Sequence, residues 1–273
     1  MEKYYRVLII VLAATTLLFG FEKKRDLNIN ANGLQKMEVD AGAGNLKIVG
    51  VKGLHQIKVT ATIRAEHISE GKAEKFIREK IKLNLERHGK SARLISKTKN
   101  GFWRNVSAAI DLMVEVPQRL NLEVRDGSGS LKIQDIDGYL DLIDGSGSIS
   151  LARIRGDAQI QDGSGFTGIK KIGGNLELTD GSGGAEIESV QGNVEVKDGS
   201  GGIQIRDVRG DVEVEDGSGS MEIVHVGGNV VVDDGSGSIT IRNVRRDVRI
   251  KEAGSGGVTI QDVKGKVYGR KGR

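Results

Sequence analysis

The tetrapeptide Asp-Gly-Ser-Gly occurs seven times at a fixed spacing of eighteen residues, and it constrains the fold more than any other feature of the sequence. A degenerate eighth copy, Ala-Gly-Ser-Gly at residues 253–256, follows after one extra residue. A fixed period of this length is typical of repeat architectures, in which each repeat forms one structural unit. The seven repeat aspartates are Asp126, Asp144, Asp162, Asp180, Asp198, Asp216 and Asp234.

Apolar residues alternate within each repeat. When the aspartate is position 1, positions 6, 8, 11, 15 and 17 are nearly always apolar, as in Ile203, Ile205, Val208, Val212 and Val214. This period of two predicts two short strands, each with one face turned inward, and the prevalence of Ile, Val and Leu suits such a surface. Position 13 is Gly in seven of the eight copies. We expect it, together with the glycines at positions 2 and 4, to supply positive φ angles at the corners.

One repeat therefore predicts one flattened coil made of strand, corner, strand and corner. A single coil cannot bury its own apolar residues, whereas stacked coils can. The sequence predicts an all-β fold over residues 126–273: a right-handed, single-stranded parallel β-helix, or β-solenoid, with 18-residue coils. Thr167 and Ala185 replace bulky residues at position 6 and predict a local shift in the third coil. Arg246 in place of Gly, and the extra residue Glu252, predict a bulged corner.

Residues 1–20 have the pattern of a secretory signal peptide. Lys3 and Arg6 precede an apolar run over residues 7–20, which is short for a membrane-spanning helix. An uncleaved N-terminal anchor is the alternative. The chain contains no cysteine, which excludes both a lipoprotein anchor and a disulfide framework. Residues 21–34 are predicted to be a linker.

Residues 35–125 predict irregular N-terminal β coils that carry one short helical insertion. Residues 40–44 look like a worn copy of the repeat corner, and residues 69–80 favour a helix with Ser69 as its N-cap. Residues 88–91 predict a hairpin turn. We expect the helical insertion to cover the open end of the coils, because an uncovered end leaves backbone groups unpaired. Trp103 and its neighbour Phe102 are interpreted as a core plug.

The repeat aspartates admit two interpretations. If successive coils stack in register, neighbouring carboxylates would lie about 5 Å apart and repel each other by about 0.8 kcal/mol in water. Each could accept hydrogen bonds from the amides of its own Gly-Ser-Gly corner, which the pattern favours. Alternatively, Ca²⁺ ions could bridge successive carboxylates. The sequence predicts no other metal site and no cofactor.

No catalytic residues are predicted. A nucleophilic serine needs a nearby base, yet none of the four histidines recurs with the period of the repeat serines. The outward positions form neither an aromatic sugar platform nor a threonine array. Residues 264–273 carry five basic residues and no acidic one, which is interpreted as blunting the end of the coils or as contacting anionic lipid or polysaccharide. A nucleic-acid partner is not expected.

The residues Val114-Glu115-Val116-Pro117, followed by Gly-Ser-Gly coils, resemble the bacterial "putative adhesin" family of β-strand-repeat domains, over roughly residues 35–270. This resemblance implies an exported or membrane-tethered protein and no active-site residues. We therefore expect a non-enzymatic, exported cell-envelope protein, located in the periplasm, at the surface or on the membrane, with an adhesin-like structural or binding role. Its membrane contact would be limited to the N-terminal segment, if uncleaved. Expected partners are an envelope component or surface polysaccharide. A scaffold that associates end to end, or a polysaccharide-active enzyme, is the alternative.

Overall fold

The computed structural model describes residues 20–66, 68–99 and 107–269, and the chain divides after Ile133 into two units that are described in turn. The predicted leader, apart from Gly20, lies outside the described residues, as do Phe102, Trp103 and residues 270–273 of the basic tail. Within the described residues, no helix is long and apolar enough to span a membrane.

The first unit contains strands in both orientations and the single described helix. Its elements are β1 (Gly20–Asn30), β2 (Lys36–Ala41), β3 (Leu46–Val51), β4 (Gln56–Glu66), α1 (Glu70–Lys80), β5 (Ile81–His88), β6 (Ser91–Thr98), β7 (Ser107–Pro117), β8 (Asn121–Asp126) and β9 (Gly129–Ile136), the last of which includes the boundary.

Two sheets enclose the core of the first unit, in the strand orders β1-β4-β7-β3-β9 and β8-β2-β6-β5. Strand β2 lies between β6 and β8, parallel to both, and β3 is parallel to β7. Residues 40–44 do form a corner of the repeat type, since Ala43 bridges Ser128. The coil built from β2 and β3 therefore lies between two coils that come later in the chain.

Antiparallel strands complete this unit; the sequence predicted the hairpin of β5 and β6 through its turn, but it did not predict the pairing of β4 with β1 and β7. Strand β4 pairs antiparallel with β7 and with β1, and β5 pairs antiparallel with β6 across the predicted turn at residues 88–91. The linker predicted over residues 21–34 is thus corrected, because residues 20–30 form β1. The many charged residues of β1 leave no alternation of apolar and polar residues by which the sequence would predict a strand. Backbone hydrogen bonds to β4 hold β1 in place.

The helix α1 connects β4 to β5 and lies against the edge strands of both sheets. Ala73, Phe76 and Ile77 are buried, and Lys23 of β1 pairs with Glu74 at 3.6 Å. Ser69 is the N-cap residue as predicted, but its side chain makes no capping hydrogen bond. The helix therefore covers the edge of the core, which is the role predicted for the insertion.

The second unit is a parallel β-solenoid with 18-residue coils, as predicted. Its two sheets have the strand orders β11-β13-β15-β17-β19-β21-β23 and β10-β12-β14-β16-β18-β20-β22-β24. The strands are β10 (Leu140–Asp144), β11 (Gly147–Ile154), β12 (Ala158–Asp162), β13 (Gly165–Ile172), β14 (Leu176–Asp180), β15 (Gly183–Val190), β16 (Val194–Asp198), β17 (Gly201–Val208), β18 (Val212–Asp216), β19 (Gly219–Val226), β20 (Val230–Asp234), β21 (Ile239–Val244), β22 (Val248–Ala253), β23 (Val258–Val263) and β24 (Val267–Tyr268).

Equivalent repeat positions pair with each other along both sheets of the second unit. Ile205 pairs with Ile187 and Ile223, and Val214 pairs with Val196 and Val232. All of these side chains are fully buried. Because each coil covers the apolar residues of the next, the predicted inward positions 6, 8, 11, 15 and 17 form one continuous core.

Both predicted irregularities differ in detail from the structure. The third coil is not shifted: Thr167 pairs in register with Ile149 and Ala185. The bulge near the last coil exists, but it lies within β22, where Asp233 pairs with Glu252 and Lys251 is passed over. A strand that faces solvent on one side accommodates an extra residue without disturbing the corners.

Candidate functional site

Six of the repeat aspartates form a column inside the second unit. Asp144, Asp162, Asp180, Asp198, Asp216 and Asp234 each end a strand of the same sheet and pair in register with the next. We call these six residues the aspartate column. Their exposed fractions lie between 1% and 7%, so the carboxyl groups face the interior rather than solvent. Asp126 ends β8 in the first unit and is likewise buried.

Four of the corners use their aspartates to hold their own backbone. The Ser200 amide donates to Asp198 Oδ1 at 3.2 Å, and the Ser218 amide donates to Asp216 Oδ1 at 3.0 Å. The same bond forms at Asp162 and Asp180, at 3.1 Å in both. These four corners confirm the turn interpretation of the aspartates. In these contacts the serines take part through their backbone amides.

The aspartate column also contains carboxyl oxygens that are buried without a hydrogen-bond partner, which is unfavourable for a charged group. Oδ2 of Asp180 and of Asp216, and both oxygens of Asp144, are buried without a hydrogen-bond partner. Burial first, and then the neighbouring carboxylates of the column, raise the pKa of Asp144, Asp180 and Asp216 to about 6. Burial also raises the pKa values of Asp162, Asp198 and Asp234. A proton is therefore held more tightly here than on an exposed aspartate.

The polar residue Thr167 at position 6 of the third coil has a hydrogen-bonding role that accounts for its presence there. Its side chain is fully buried at position 6, where other coils have an aliphatic residue, and its Oγ1 donates to Asp162 Oδ2 at 3.1 Å. This bond lowers the pKa of Asp162 and partly offsets the effect of burial. The threonine thus supplies the second partner that Asp180 and Asp216 lack.

The column brings carboxylates together in pairs, but not in the arrangement that metals prefer. Ca²⁺ takes six to eight oxygen ligands. Among the described residues there is no group of three or more acidic, histidine or cysteine side chains that could hold a metal ion. The Ca²⁺ interpretation of the seven repeat aspartates stays a prediction, and it is addressed by an experiment below.

A second polar column was missed by the sequence reasoning. At position 14, each side-chain oxygen accepts the backbone amide of the same position in the next coil: Asp157 Oδ1 from Asn175 at 2.7 Å, Asn175 Oδ1 from Asn193 at 2.9 Å, and Asn193 Oδ1 from Asp211 at 2.9 Å. We call this the amide ladder; it continues through Asn229 and Asp247 to the amide of Lys266. The recurrence of Asn or Asp at position 14 was the available signal.

Positive φ angles occur at position 10 rather than at position 13. Eight non-glycine residues at this position have φ between 55° and 65°: Asp135, Arg153, Lys171, Ser189, Asp207, His225, Asn243 and Asp262. The signal was that position 10 is always polar and never β-branched, which suits this conformation.

The glycines at the two corners serve different purposes. Those at position 4, such as Gly201 with φ +148°, have the predicted positive φ. Those at positions 2 and 13, such as Gly199 and Gly192, do not, and the prediction was wrong for them. A Cβ at Gly192 would instead collide with the backbone carbonyl of Gly174 in the adjacent coil. Close approach of stacked corners, rather than backbone conformation, requires glycine there.

No family model and no curated protein matches this chain. A crystal structure of a putative cell adhesion protein from Clostridium sporogenes ATCC 15579 matches with 15% identity and a TM-score of 0.28, covering 88% of this chain and 99% of that one. A putative adhesin from Bacteroides fragilis NCTC 9343 matches with 11% identity and a TM-score of 0.37, covering 90% and 96%.

A third solved structure is a putative lipid binding protein from Parabacteroides distasonis ATCC 8503, with 12% identity, a TM-score of 0.43, and coverage of 91% of this chain and 97% of that one. Two further solved structures that match this chain are putative adhesins from Parabacteroides distasonis ATCC 8503 and Parabacteroides merdae ATCC 43184.

Proposed function

We propose that this protein is a non-enzymatic, adhesin-like binding protein that is exported to the cell envelope. The observation that carries the proposal is that repeated side chains and variable side chains have different roles in the second unit. Side chains that recur with the repeat are used within it, as the aspartate column, the amide ladder and the apolar core.

Outward side chains, by contrast, vary along the sheet, although Glu recurs at position 16 in three successive coils. At position 16 the sheet displays Asp141, Gln159, Glu177, Glu195, Glu213, Val231, Arg249 and Tyr268. Parallel stacking places these side chains about 4.8 Å apart along the sheet. A constant frame that carries variable surface residues suits recognition of a partner, because the surface can change without affecting the core.

Export and envelope binding can be measured together. Cells that produce the full-length chain with a C-terminal tag would be separated into cytosol, periplasm, membrane and surface fractions, and the recovered protein would be sequenced from its N-terminus. We expect the protein in an envelope fraction, and we expect purified protein to sediment with isolated envelopes of the producing cells. Purely cytosolic protein that does not sediment with envelopes, or measurable cleavage of uronate polymers, would contradict the proposal.

An end-to-end scaffold is a second candidate, and the last coil favours it. Strands β23 and β24 end the two sheets of the second unit. Val258, Ile260 and Val263 are only partly buried, whereas the equivalent Ile239, Ile241 and Val244 of the preceding coil are buried. A second copy of the chain could pair with these edge strands and cover the exposed apolar residues.

Light scattering distinguishes this candidate. The full-length chain would be compared with a chain that lacks residues 264–273, which removes β24 and the basic tail. Higher-order species that disappear on truncation would support assembly. A monomer in both samples would count against it, and it would leave the binding role unaffected.

A further inference from the structure

A groove runs along one corner of the second unit. Residues at positions 10 and 12 of successive coils form its two walls, and buried valines at position 11, such as Val226 and Val244, form its floor. The groove crosses five coils and encloses about 1300 Å³. Four spacings of about 4.8 Å give it a length of about 19 Å, so it is suited to a linear rather than a compact ligand. We call it the corner groove.

The position-12 wall is cationic. Arg209, Arg245 and Lys264 are exposed along it. Within the described residues none of the three has a carboxylate within 4.0 Å, although Arg155 at the same position of an earlier coil pairs with Asp137 at 3.3 Å. Arg245 and Lys264 occupy adjacent coils, so two like charges lie side by side. An anionic ligand would relieve their repulsion.

The position-10 wall offers hydrogen-bond acceptors. Asp207, Asn243 and Asp262 are exposed there, and Asp207 Oδ1 lies 3.1 Å from His225 Nδ1. All of these residues have positive φ angles, which fixes the direction of each Cβ relative to the groove. Carboxylate and amide oxygens accept hydrogen bonds from hydroxyl groups. The ligand that suits both walls therefore carries anionic groups on one side and hydroxyl groups on the other.

We propose that the corner groove binds a linear acidic polysaccharide, with uronate carboxylates against Arg209, Arg245 and Lys264, and sugar hydroxyls against Asp207, Asn243 and Asp262. This inference rests on the proposed binding function and names its ligand class. Nucleic acid suits the groove less well, because no aromatic side chain lines the groove for base stacking.

The experiment measures binding of full-length protein, purified in mild detergent, to polygalacturonate by isothermal titration calorimetry. Fully methyl-esterified polygalacturonate is the neutral control, and single-stranded DNA is the competing polyanion. We expect binding to the acidic polymer alone, weakened at least tenfold between 50 and 500 mM NaCl because salt screens exposed charges. Equal binding of the neutral polymer would overturn the proposal, and so would tighter binding of DNA.

The matched variants carry the same change in net charge at different sites. Replacing Arg209, Arg245 and Lys264 by Gln should weaken binding at least tenfold. Replacing Lys170, Lys197 and Lys251 by Gln should change it less than twofold, because these lysines are paired with glutamates outside the groove. All six side chains are exposed, and a thermal melt of each variant verifies folding.

The remaining outcomes separate this inference from the proposed function. If both variants bind equally well, the polymer binds elsewhere and the groove assignment is wrong. If the wild-type protein binds no polyuronate yet still sediments with envelopes, the ligand class is wrong while the binding function stands. If it binds neither, both proposals fail.

Discussion

At the scale of single residues, the aspartate column combines two opposing requirements. The corner needs a short side chain whose oxygen accepts the amide two residues later, and Asp provides it. The same position is buried, where a charged group is costly. The raised pKa values are the result, since protonation removes the charge while one oxygen remains available to accept the amide.

The pH dependence of stability follows from the sign of this shift. The folded pKa of Asp180 is about 6, above its ordinary value of 3.8. Between these two values the folded state binds more protons than the unfolded state, so the free energy of unfolding falls as pH rises through this window. The stabilising contribution is fully present below the unfolded pKa and is lost above the folded one.

Replacing Asp180 by Asn tests this directly. The amide oxygen can still accept from Ser182, and the charge is gone. We expect the variant to be more stable than the wild type by roughly 1–2 kcal/mol at pH 7.5, and within about 0.5 kcal/mol of it at pH 4. Urea unfolding at both pH values measures this difference. Glu215→Gln, at an exposed position, is the control, and an equal gain at both pH values would refute the assignment.

The turn interpretation of the aspartates also predicts the response to metal. Because the column faces the core and the Oδ1 atoms of four of its six aspartates already accept amides, we expect neither 5 mM Ca²⁺ nor EDTA to shift the melting temperature by more than about 1 °C. Differential scanning calorimetry at pH 7.5 measures the shift. A rise of several degrees with Ca²⁺, reversed by EDTA, would establish the alternative of metal ions between the repeat aspartates.

The two kinds of corner glycine offer a matched pair of substitutions. At Gly201, φ is +148° and an added Cβ would overlap the carbonyl oxygen of Gly183. We expect Gly201→Ala to lower the free energy of unfolding by roughly 3 kcal/mol or more. At the next residue, Gly202, the nearest atom to an added Cβ is 3.9 Å away, so Gly202→Ala should be near neutral. Similar losses in both variants would contradict this account.

At the scale of elements, the amide ladder explains how the second corner of each coil stays in register. Backbone hydrogen bonds also join successive coils at this corner, such as the Gly192 amide to the Gly174 carbonyl at 3.0 Å. At position 14, however, the amide of each coil donates to a side-chain oxygen of the preceding coil. Each bond satisfies a backbone donor that would otherwise lack a partner.

Removing one step of this ladder should have a local and measurable cost. In Asn193→Ala the amide of Asp211 loses its acceptor, Asn193 Oδ1. We expect a loss of roughly 1–2 kcal/mol in the free energy of unfolding and faster hydrogen exchange at the Asp211 amide. Glu195→Ala, an outward position in the same coil, is the control. Unchanged exchange at Asp211 would show that the ladder does not protect this corner.

The first unit shows where element prediction reached its limit. The helix, the hairpin turn and the worn corner were all found from local patterns. The pairing of β1 and β4 was not, because Lys, Arg, Glu and Asn dominate β1 and it has few apolar side chains to reveal a period. The order of coils around β2 is also a long-range property that no local pattern contains.

At the scale of the whole molecule, the repeat of the second unit makes stability a sum over coils and their interfaces. Each coil contacts chiefly its neighbours, through identical positions in the same register. The core therefore depends on the coil being the right length more than on any one side chain.

Deleting one entire coil tests this additivity. Removal of residues 181–198 joins Asp180 to Gly199 and keeps every later residue at its repeat position. We expect a cooperative fold with a melting temperature only a few degrees lower. Removal of residues 181–189 deletes β15 but leaves β16, so the coil cannot close, and we expect loss of cooperative unfolding. Circular dichroism measures both, and equal behaviour of the two deletions would contradict the stacked register.

The sequence by itself determined the repeat unit, its length, its inward positions and the turn role of its aspartates. These are local or periodic properties, and a period of eighteen with alternating apolar residues leaves few alternatives to a stack of coils. Three features were decided only by the tertiary structure. Position 10 takes positive φ, position 13 needs glycine because the backbone of the neighbouring coil leaves no space for a Cβ, and the aspartate oxygens are buried in register. Each of these depends on the distance between a coil and the next, which arises when coils stack and has no counterpart within a single repeat.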